Sequence, residues 1–374
     1  MRILNLSLLR LNDSHSYYGG AIGSIGYELL SSLASIDGVD VISFTQGTDL
    51  SYSVPSSLNL VQANSFSEVK KIMPKYLQKS EETILTHFYF HEPEYTPLAH
   101  LANKLDSPFV IGMCELPHYR LRDEVSGLLK SPLIRKIGKS IAYMPRFKKT
   151  LSHCDRLITV NGAAKQYYSK YVPTTQIGVI PYGVNQELFP CTPLPEEPRI
   201  LVVSRLIRRR GINALIDALP SIISEIPDVH LDIVGDGPQR IPLEQQASEI
   251  GVSSRVHFHG NVSAEALTQH YQNCSVFCHL STSDGWNQPA LEAMSTGRPV
   301  IGMDAHHNSM ILDGITGYLI HPMEINSLPK YLIQILDDGN LCSQMGTSAH
   351  ELISTNHNIA TVAKQYLTEF QRLL

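Results

Sequence analysis

The sequence predicts an α/β protein made of two Rossmann-like domains, each a doubly wound parallel sheet. Three observations predict it. Short apolar runs alternate with helix-like stretches from end to end, there are enough of them for two sheets, and a proline-rich seam divides them. In chain order, the first strand candidates are Ile3–Leu9, Val39–Phe44, Thr83–Phe90, Phe109–Met113, Arg156–Val160 and Ile177–Ile180. A second set follows at Ile200–Ser204, Val229–Val234, Val256–His259, Val276–Leu280, Val300–Met303 and Tyr318–Ile320. Runs that stay apolar, without alternating, suit strands buried on both faces of a parallel sheet. The seam is Val184–Pro198, VNQELFPCTPLPEEP, with four prolines and no helical or strand period. Proline removes a backbone donor and breaks both kinds of element, so the linker is expected here. The expected domains are residues 1–184 and 185–357, with 358–374 a last helix that no strand follows.

Composition narrows the class. Of the 374 residues, 43% are apolar and 17% charged, enough to fill ordinary cores and too apolar for disorder. No run of 18 or more apolar residues marks a membrane-spanning helix. The apolar start, Met1–Leu11, runs into polar and glycine residues with no small-residue cleavage site, and reads as a first buried strand. The six cysteines, Cys114, Cys154, Cys191, Cys274, Cys278 and Cys342, are scattered. The close pair Cys274 and Cys278 has no second ligand pair at zinc spacing, so buried free thiols and a reducing, cytoplasmic setting are expected. The net charge of −5 is uneven. Residues 1–185 carry 19 basic and 15 acidic residues, and residues 186–374 carry 11 and 20, which suits halves that meet different partners.

In open α/β sheets ligands bind outside the carboxyl ends of the strands, so two facing sheets would aim those ends into one cleft. Three motifs follow strands. Gly19-Gly20-Ala21-Ile22-Gly23-Ser24-Ile25-Gly26 precedes a helix, where glycines let backbone approach a phosphate and free N–H groups attract an anion. Its spacing is not G-x-G-x-x-G, and Thr45-Gln46 stands where a nicotinamide dinucleotide site keeps an acid, so that cofactor is disfavoured. A turn without function is the alternative. Ser204-Arg205-Leu206-Ile207-Arg208-Arg209-Arg210-Gly211 crowds four arginines, which an anion such as pyrophosphate would neutralise. A solvated charged loop is the alternative for any one of them, and Arg205, directly after the strand, is best placed to reach a ligand. Ser283–Met294 sets Asp284 and Glu292 with seven residues between them, among them the sole tryptophan, Trp286. Carboxylates accept from paired hydroxyls, as ribose and hexose offer, although a helix cap and a first-turn acid would look the same.

Asp284–Gly297 with Arg298-Pro299-Val300-Ile301 resembles the E-x7-E segment of the GT-B glycosyltransferases of family 4, the glycosyl transferases group 1. Ile158–Asn161, Val179–Val184 with Phe189, Val234–Pro238, His259–Val262 and Asp313–Gly317 match that family in order, over nearly the whole chain. The resemblance implies a GT-B fold with an acceptor-side first domain, a nucleotide-sugar-binding second domain, and a last helix that crosses back to the first. It implies that Glu292 holds the ribose and that Asp284 with the backbone of Trp286, Asn287 and Gln288 binds the transferred sugar, Leu291 lying beside them. Arg205 and Arg210 would grip the pyrophosphate, Gly260, Asn261 and Val262 would line the base pocket, and Gly19 and Gly20 would meet the phosphates from the other domain. Three positions depart from the pattern: Asp284 stands for glutamate, Arg210 for lysine, and Cys114-Glu115 for a histidine near the sugar. His118 or Glu115 would replace that histidine, or nothing does.

His87, in the His87–Glu92 cluster, lacks the helical spacing of a zinc motif and would line the acceptor side. His306 and His307 are candidates for donor contacts. Basic residues at Lys130, Arg135, Lys136, Lys139, Arg146, Lys148 and Lys149, with apolar residues at helical spacing among them, suit an anionic membrane surface through residues 130–149. A solvated helix face fits equally. The resemblance implies transfer of a sugar with retention, from a nucleoside-diphosphate sugar to a lipid-linked or saccharide acceptor, without metal or cofactor and with Val184–Pro198 as one hinge. A sugar-nucleotide epimerase of the same fold and a non-catalytic binding protein are the rival readings; neither nucleic-acid binding nor a membrane span is expected.

Overall fold

The computed structural model describes residues 1–10, 21–46, 58–63, 65–72, 75–76, 83–88, 108–114, 148–281 and 286–374. They fall into two compact units, the first comprising residues up to Tyr182 together with Ile359–Leu374, the second Gly183–Asn358.

The first unit runs β1 (Arg2–Arg10), α1 (Ala21–Ala34), β2 (Asp40–Gln46), β3 (Leu58–Gln62), α2 (Phe66–Ile72), β4 (Thr83–Phe88), β5 (Phe109–Cys114), β6 (Arg156–Thr159), α3 (Gly162–Tyr168) and β7 (Ile177–Val179). Among the described residues the strands form one parallel sheet in the order β3-β2-β1-β4-β5-β6-β7. Ile3, Leu4, Val110, Ile111, Leu157 and Ile158 are wholly buried, as unbroken apolar strands require. Asn5 Nδ2 donates to Ser43 Oγ at 2.9 Å in this interior. The two residues are partners in the β1–β2 register, and a one-residue slip would orphan both. The reading of apolar runs missed β3. Its sequence LNLVQ is mixed because it is an edge strand with only Leu58 fully buried.

The second unit runs β8 (Arg199–Val203), α4 (Ile212–Glu225), β9 (His230–Val234), α5 (Arg240–Glu249), β10 (Val256–Gly260), α6 (Ala264–Gln272), β11 (Val276–His279), α7 (Gln288–Ser295), β12 (Val300–Met303), β13 (Gly317–Ile320), α8 (Leu328–Asp337) and α9 (Gly339–Asn356). Its parallel sheet has the order β10-β9-β8-β11-β12-β13. The core joins Ile200 and Val202 of β8, Leu231 and Ile233 of β9 and Ile301 of β12 to Leu215, Ile216 and Leu219 of α4 and Leu332 and Ile335 of α8. Chain order reverses on either side of β8, which pairs with β9 and β11, and a crevice opens at such a switch point.

Closing the chain, α10 (Ile359–Gln371) belongs to the first unit. Ile359, Val362, Ala363, Tyr366 and Phe370 fall on one helical face and are buried, and the helix packs on α1. Glu369 pairs with Arg156 of β6 and with Arg372.

The proline-rich seam is irregular, as its composition predicts, but it is tied to the second unit along its length. Thr268 Oγ1 donates to Leu188 O at 3.1 Å and Ser295 Oγ to Phe189 O at 2.7 Å. Arg298, wholly buried, donates to Thr192 O at 2.9 Å, Thr192 Oγ1 at 2.7 Å and Pro193 O at 2.9 Å. Side chains supply the bonds that prolines deny to a backbone ladder. Among the described residues no helix is long and apolar enough to cross a membrane.

Candidate functional site

The loops after β8, β9 and β10 are knitted backbone to backbone. Ser204 N donates to Val234 O at 3.0 Å, Leu206 N to Asp236 O at 2.9 Å and Gly235 N to Gly260 O at 2.7 Å. Gly235 has φ +119°, and a Cβ there would stand 2.0 Å from Ser204 O, so this approach requires glycine. The result is a rigid shelf at the carboxyl ends of three strands.

Arg205 projects from that shelf, exposed, with no carboxylate partner among the described residues, and the same holds for Arg208. The preceding Ser204 Oγ is buried with no hydrogen-bond partner among the described residues. Arg208–Arg210 form a single 3-10 turn that ends on Gly211 at φ +69°, where a Cβ would meet Leu280 O at 2.6 Å. The turn therefore lies against the end of β11, and Arg210 Nη1 reaches His279 Nε2 at 3.4 Å. His279, 3% exposed, was missed in the sequence because it ends an apolar run and reads as core.

At the end of β10 a bulge separates Phe258 from Gly260, whose φ is +66°. Asn261 is exposed and Val262 half-buried. Arg240 Nη2 donates to Phe258 O at 3.3 Å, and its other terminal nitrogen lies 3.3 Å from where a Gly260 Cβ would stand. A cation beside the expected base pocket had no sequence signal, since Arg240 lies in a helix away from the motif.

Helix α7 starts at Asn287, whose Oδ1 accepts from Ala290 N at 3.2 Å while its Nδ2 donates to Asn308 Oδ1 at 2.7 Å. Gln288 Nε2 donates to Gly183 O at 3.2 Å. Trp286 is buried with its ring 6.0 Å from His357, and Leu291 is wholly in the core. Glu292 is 1% exposed and accepts at Oε2 from the Tyr271 hydroxyl at 2.7 Å. His307 is also buried, with Nε2 3.2 Å from Ser281 O, and is a member of the loop's interior.

Asp284, His118, Glu115, Gly19 and Gly20 lie outside the described residues, as do residues 130–147 of the basic stretch; Lys148 and Lys149 are exposed. His87 belongs to β4, in register with Ile111, and its side chain is likewise outside. Among the described cysteines none is in a disulfide, and burial pushes the Cys154 and Cys274 thiols up to about 12. No group of three His, Cys, Asp or Glu side chains among the described residues could hold a metal ion.

The model of the family described as Glycosyl transferases group 1 matches residues 185–352. This segment, 185–352, is similar to the glycosyl transferases of group 1. The chain is 29% identical over 202 residues to a GDP-mannose-dependent alpha-(1-6)-phosphatidylinositol monomannoside mannosyltransferase of Mycolicibacterium smegmatis, covering 49% of this chain and 53% of that protein. It thus spans about half the length of that curated relative. Among solved structures, sucrose-phosphate synthase from Thermosynechococcus elongatus superposes with a TM-score of 0.74 at 21% identity, over 100% of this chain and 99% of that one. HepE from Anabaena, solved with UDP-glucose, superposes with a TM-score of 0.69 at 16% identity over 100% of both chains. The fold is GT-B. In the matched segment the strand-end shelf and the Arg205 loop lie at the carboxyl end of β8, which pairs with β9 on one side and β11 on the other.

Proposed function

We propose that the chain is a retaining glycosyltransferase that takes a sugar from a nucleoside diphosphate and places it on a lipid-linked or saccharide acceptor without a metal ion. The observation that carries this is Arg205, an exposed cation with no carboxylate partner among the described residues, on a strand-end shelf in the segment that matches the glycosyl transferases of group 1. Cleavage of the sugar–phosphate bond builds negative charge on the leaving phosphate. Arg205 and Arg210 would stabilise that charge from fixed positions, which is electrostatic catalysis. The departing phosphate would take the acceptor's proton on the same face of the sugar. Glu292 would hold the ribose hydroxyls, and Asp284 with the backbone amides at the start of α7 the transferred sugar. The name of the Mycolicibacterium relative, a phosphatidylinositol monomannoside mannosyltransferase, supports a lipid-linked acceptor, and the basic stretch 130–149 supports contact with an anionic membrane on its cytoplasmic face.

The test is a thermal shift series with UDP, GDP, ADP, CMP and NAD on the wild type, Arg205→Ala and Glu292→Ala. One nucleoside diphosphate should stabilise the wild type and lose its effect in both variants. Stabilisation by NAD alone, or by none of the five, would overturn the reading. Sedimentation with phosphatidylserine vesicles at low salt tests the membrane contact, which a protein left wholly in the supernatant would disprove.

A further inference from the structure

Tyr271 closes α6 and is wholly buried. Its ring is held edge-on by Phe189, at 5.7 Å between centroids, and against Phe277 at 5.9 Å. Its backbone carbonyl accepts from Arg298 Nε at 3.1 Å, and the same guanidinium binds Thr192 and Pro193. A tyrosine has only two side-chain torsions, so a clamped ring fixes where the hydroxyl stands. That hydroxyl stands 2.7 Å from Glu292 Oε2, on the neighbouring helix α7. Glu292 is 1% exposed, in surroundings where a carboxylate must be held by donors.

We infer that Tyr271 is a positioning residue for nucleotide recognition: by donating to one oxygen of Glu292 it sets the plane of the carboxylate that receives the ribose hydroxyls. The inference rests on the proposed donor site. A carboxylate free to rotate pairs poorly with a vicinal diol, because the two hydroxyls need acceptors in one plane. Fixing one oxygen from behind supplies that plane before the ligand arrives, as supporting residues do for binding groups in general. In this arrangement Tyr271 acts on the ligand through Glu292. The sequence motif contains Glu292 and not its support, which lies 21 residues upstream on another helix.

The experiment is titration calorimetry with UDP, GDP, ADP and CMP and with their 2′-deoxy forms, on the wild type, Tyr271→Phe and Glu292→Gln. Phenylalanine keeps the ring between Phe189 and Phe277 and removes only the hydroxyl. Wild type should prefer the ribonucleotide. In Tyr271→Phe the ribonucleotide should weaken about tenfold, the scale of one charge-assisted hydrogen bond, while the 2′-deoxy form barely changes, so the preference collapses as it does in Glu292→Gln. The preference is a ratio within one protein, so partial unfolding weakens both nucleotides alike and leaves it unmoved. A Tyr271→Phe protein that retains the wild-type preference would show that the hydroxyl serves packing only and end the inference, with the donor site intact. A wild type that binds neither UDP nor GDP nor ADP nor CMP would overturn the donor site itself, and Tyr271's role with it.

Discussion

Arg298 and Arg205 lie in the same unit and have nothing else in common. Arg298 is wholly buried and reaches five backbone carbonyls and one hydroxyl, contributed by the seam, the end of α6 and Gly297. No carboxylate joins it among the described residues; carbonyl dipoles alone satisfy its fork. Burial pushes its guanidinium below the ordinary arginine range. Arg205 is exposed on the strand-end shelf with no such partner. One cation is engaged by the fold, and the other meets no carboxylate among the described residues. The difference teaches that an arginine's role follows from how many of its donors the fold has already satisfied.

The largest test of that contrast is Arg298→Ala. It would remove the guanidinium donors to the carbonyls of Tyr271, Gln272, Thr192 and Pro193 and loosen the seam from α6. The expected loss is about 3–5 kcal/mol, the range for breaking a buried, multiply bonded charged group. Urea unfolding would measure it. Arg298→Lys should recover little, because a lysine's three donors on a flexible stem do not match acceptors spread around a planar fork. A near-normal unfolding midpoint in the alanine variant would mean that the seam is held by Ser295 and Thr268 instead. Arg205→Ala should behave in the opposite way. Its stability should stay within about 0.5 kcal/mol of wild type, as for other exposed sites. Sugar transfer should fall by about 100-fold or more, the scale of losing one prepositioned donor to a developing anion. Unfolding curves and initial rates on the same preparation separate the two effects, and a destabilised Arg205→Ala with normal rates would reverse the assignment.

The same contrast explains what was legible in the sequence. Arg205 was found because it follows an apolar strand within a crowd of arginines, a local pattern. Arg298 was visible only as part of a motif, since its partners lie at Thr192, Pro193, Tyr271 and Gln272, brought together by the fold. Most strands of both sheets were readable because burial leaves a mainly apolar run, and β3 was not because polar Asn59 and Gln62 interrupt its run. Asn287 and Gln288 were grouped with the donor site from the motif, and the structure shows their side chains engaged with Asn308 and Gly183. Tyr271, His279 and Arg240 approach the site across helix and strand neighbours, a relation no spacing rule encodes.

A smaller effect is expected where a charge pair is half-solvated. Arg156 and Glu369 join β6 to α10 with side chains 16% and 13% exposed, between the buried state of Arg298 and the open state of Arg205. Glu369→Gln should cost about 1–2 kcal/mol, between the values for surface and buried pairs. The apolar face of α10 keeps the helix docked, so the melting transition should shift down and remain single. Loss of the helix, seen as rapid amide exchange across Ile359–Gln371 at unchanged global stability, would instead make the ion pair its main anchor.

The smallest effect, and the one with a distinctive shape, concerns Asp232. Its carboxylate accepts from His259 Nε2 at 2.7 Å and Arg199 Nη1 at 3.1 Å. Burial alone would raise the carboxyl, but the bonds from His259 and Arg199 outweigh it and hold Asp232 below its ordinary value. Its stabilisation is therefore complete above the unfolded carboxylate value near about 3.9 and is lost as pH falls through the lower folded value. His230 and His270 are lowered too, by burial first and then by Arg199 and His259 respectively. A histidine lowered in the fold loses stability earlier, as pH drops through the unfolded value of about 6.5 and the unfolded chain takes up protons first. Stability against urea should therefore fall in two steps on acidification, one near neutral pH and one in the carboxylate range. Asp232→Asn should remove its share of the second step and leave the first largely in place. If the variant instead loses as much stability as the wild type through the carboxylate range, the bonds from His259 and Arg199 do not favour the ionised form and contribute nothing to that step.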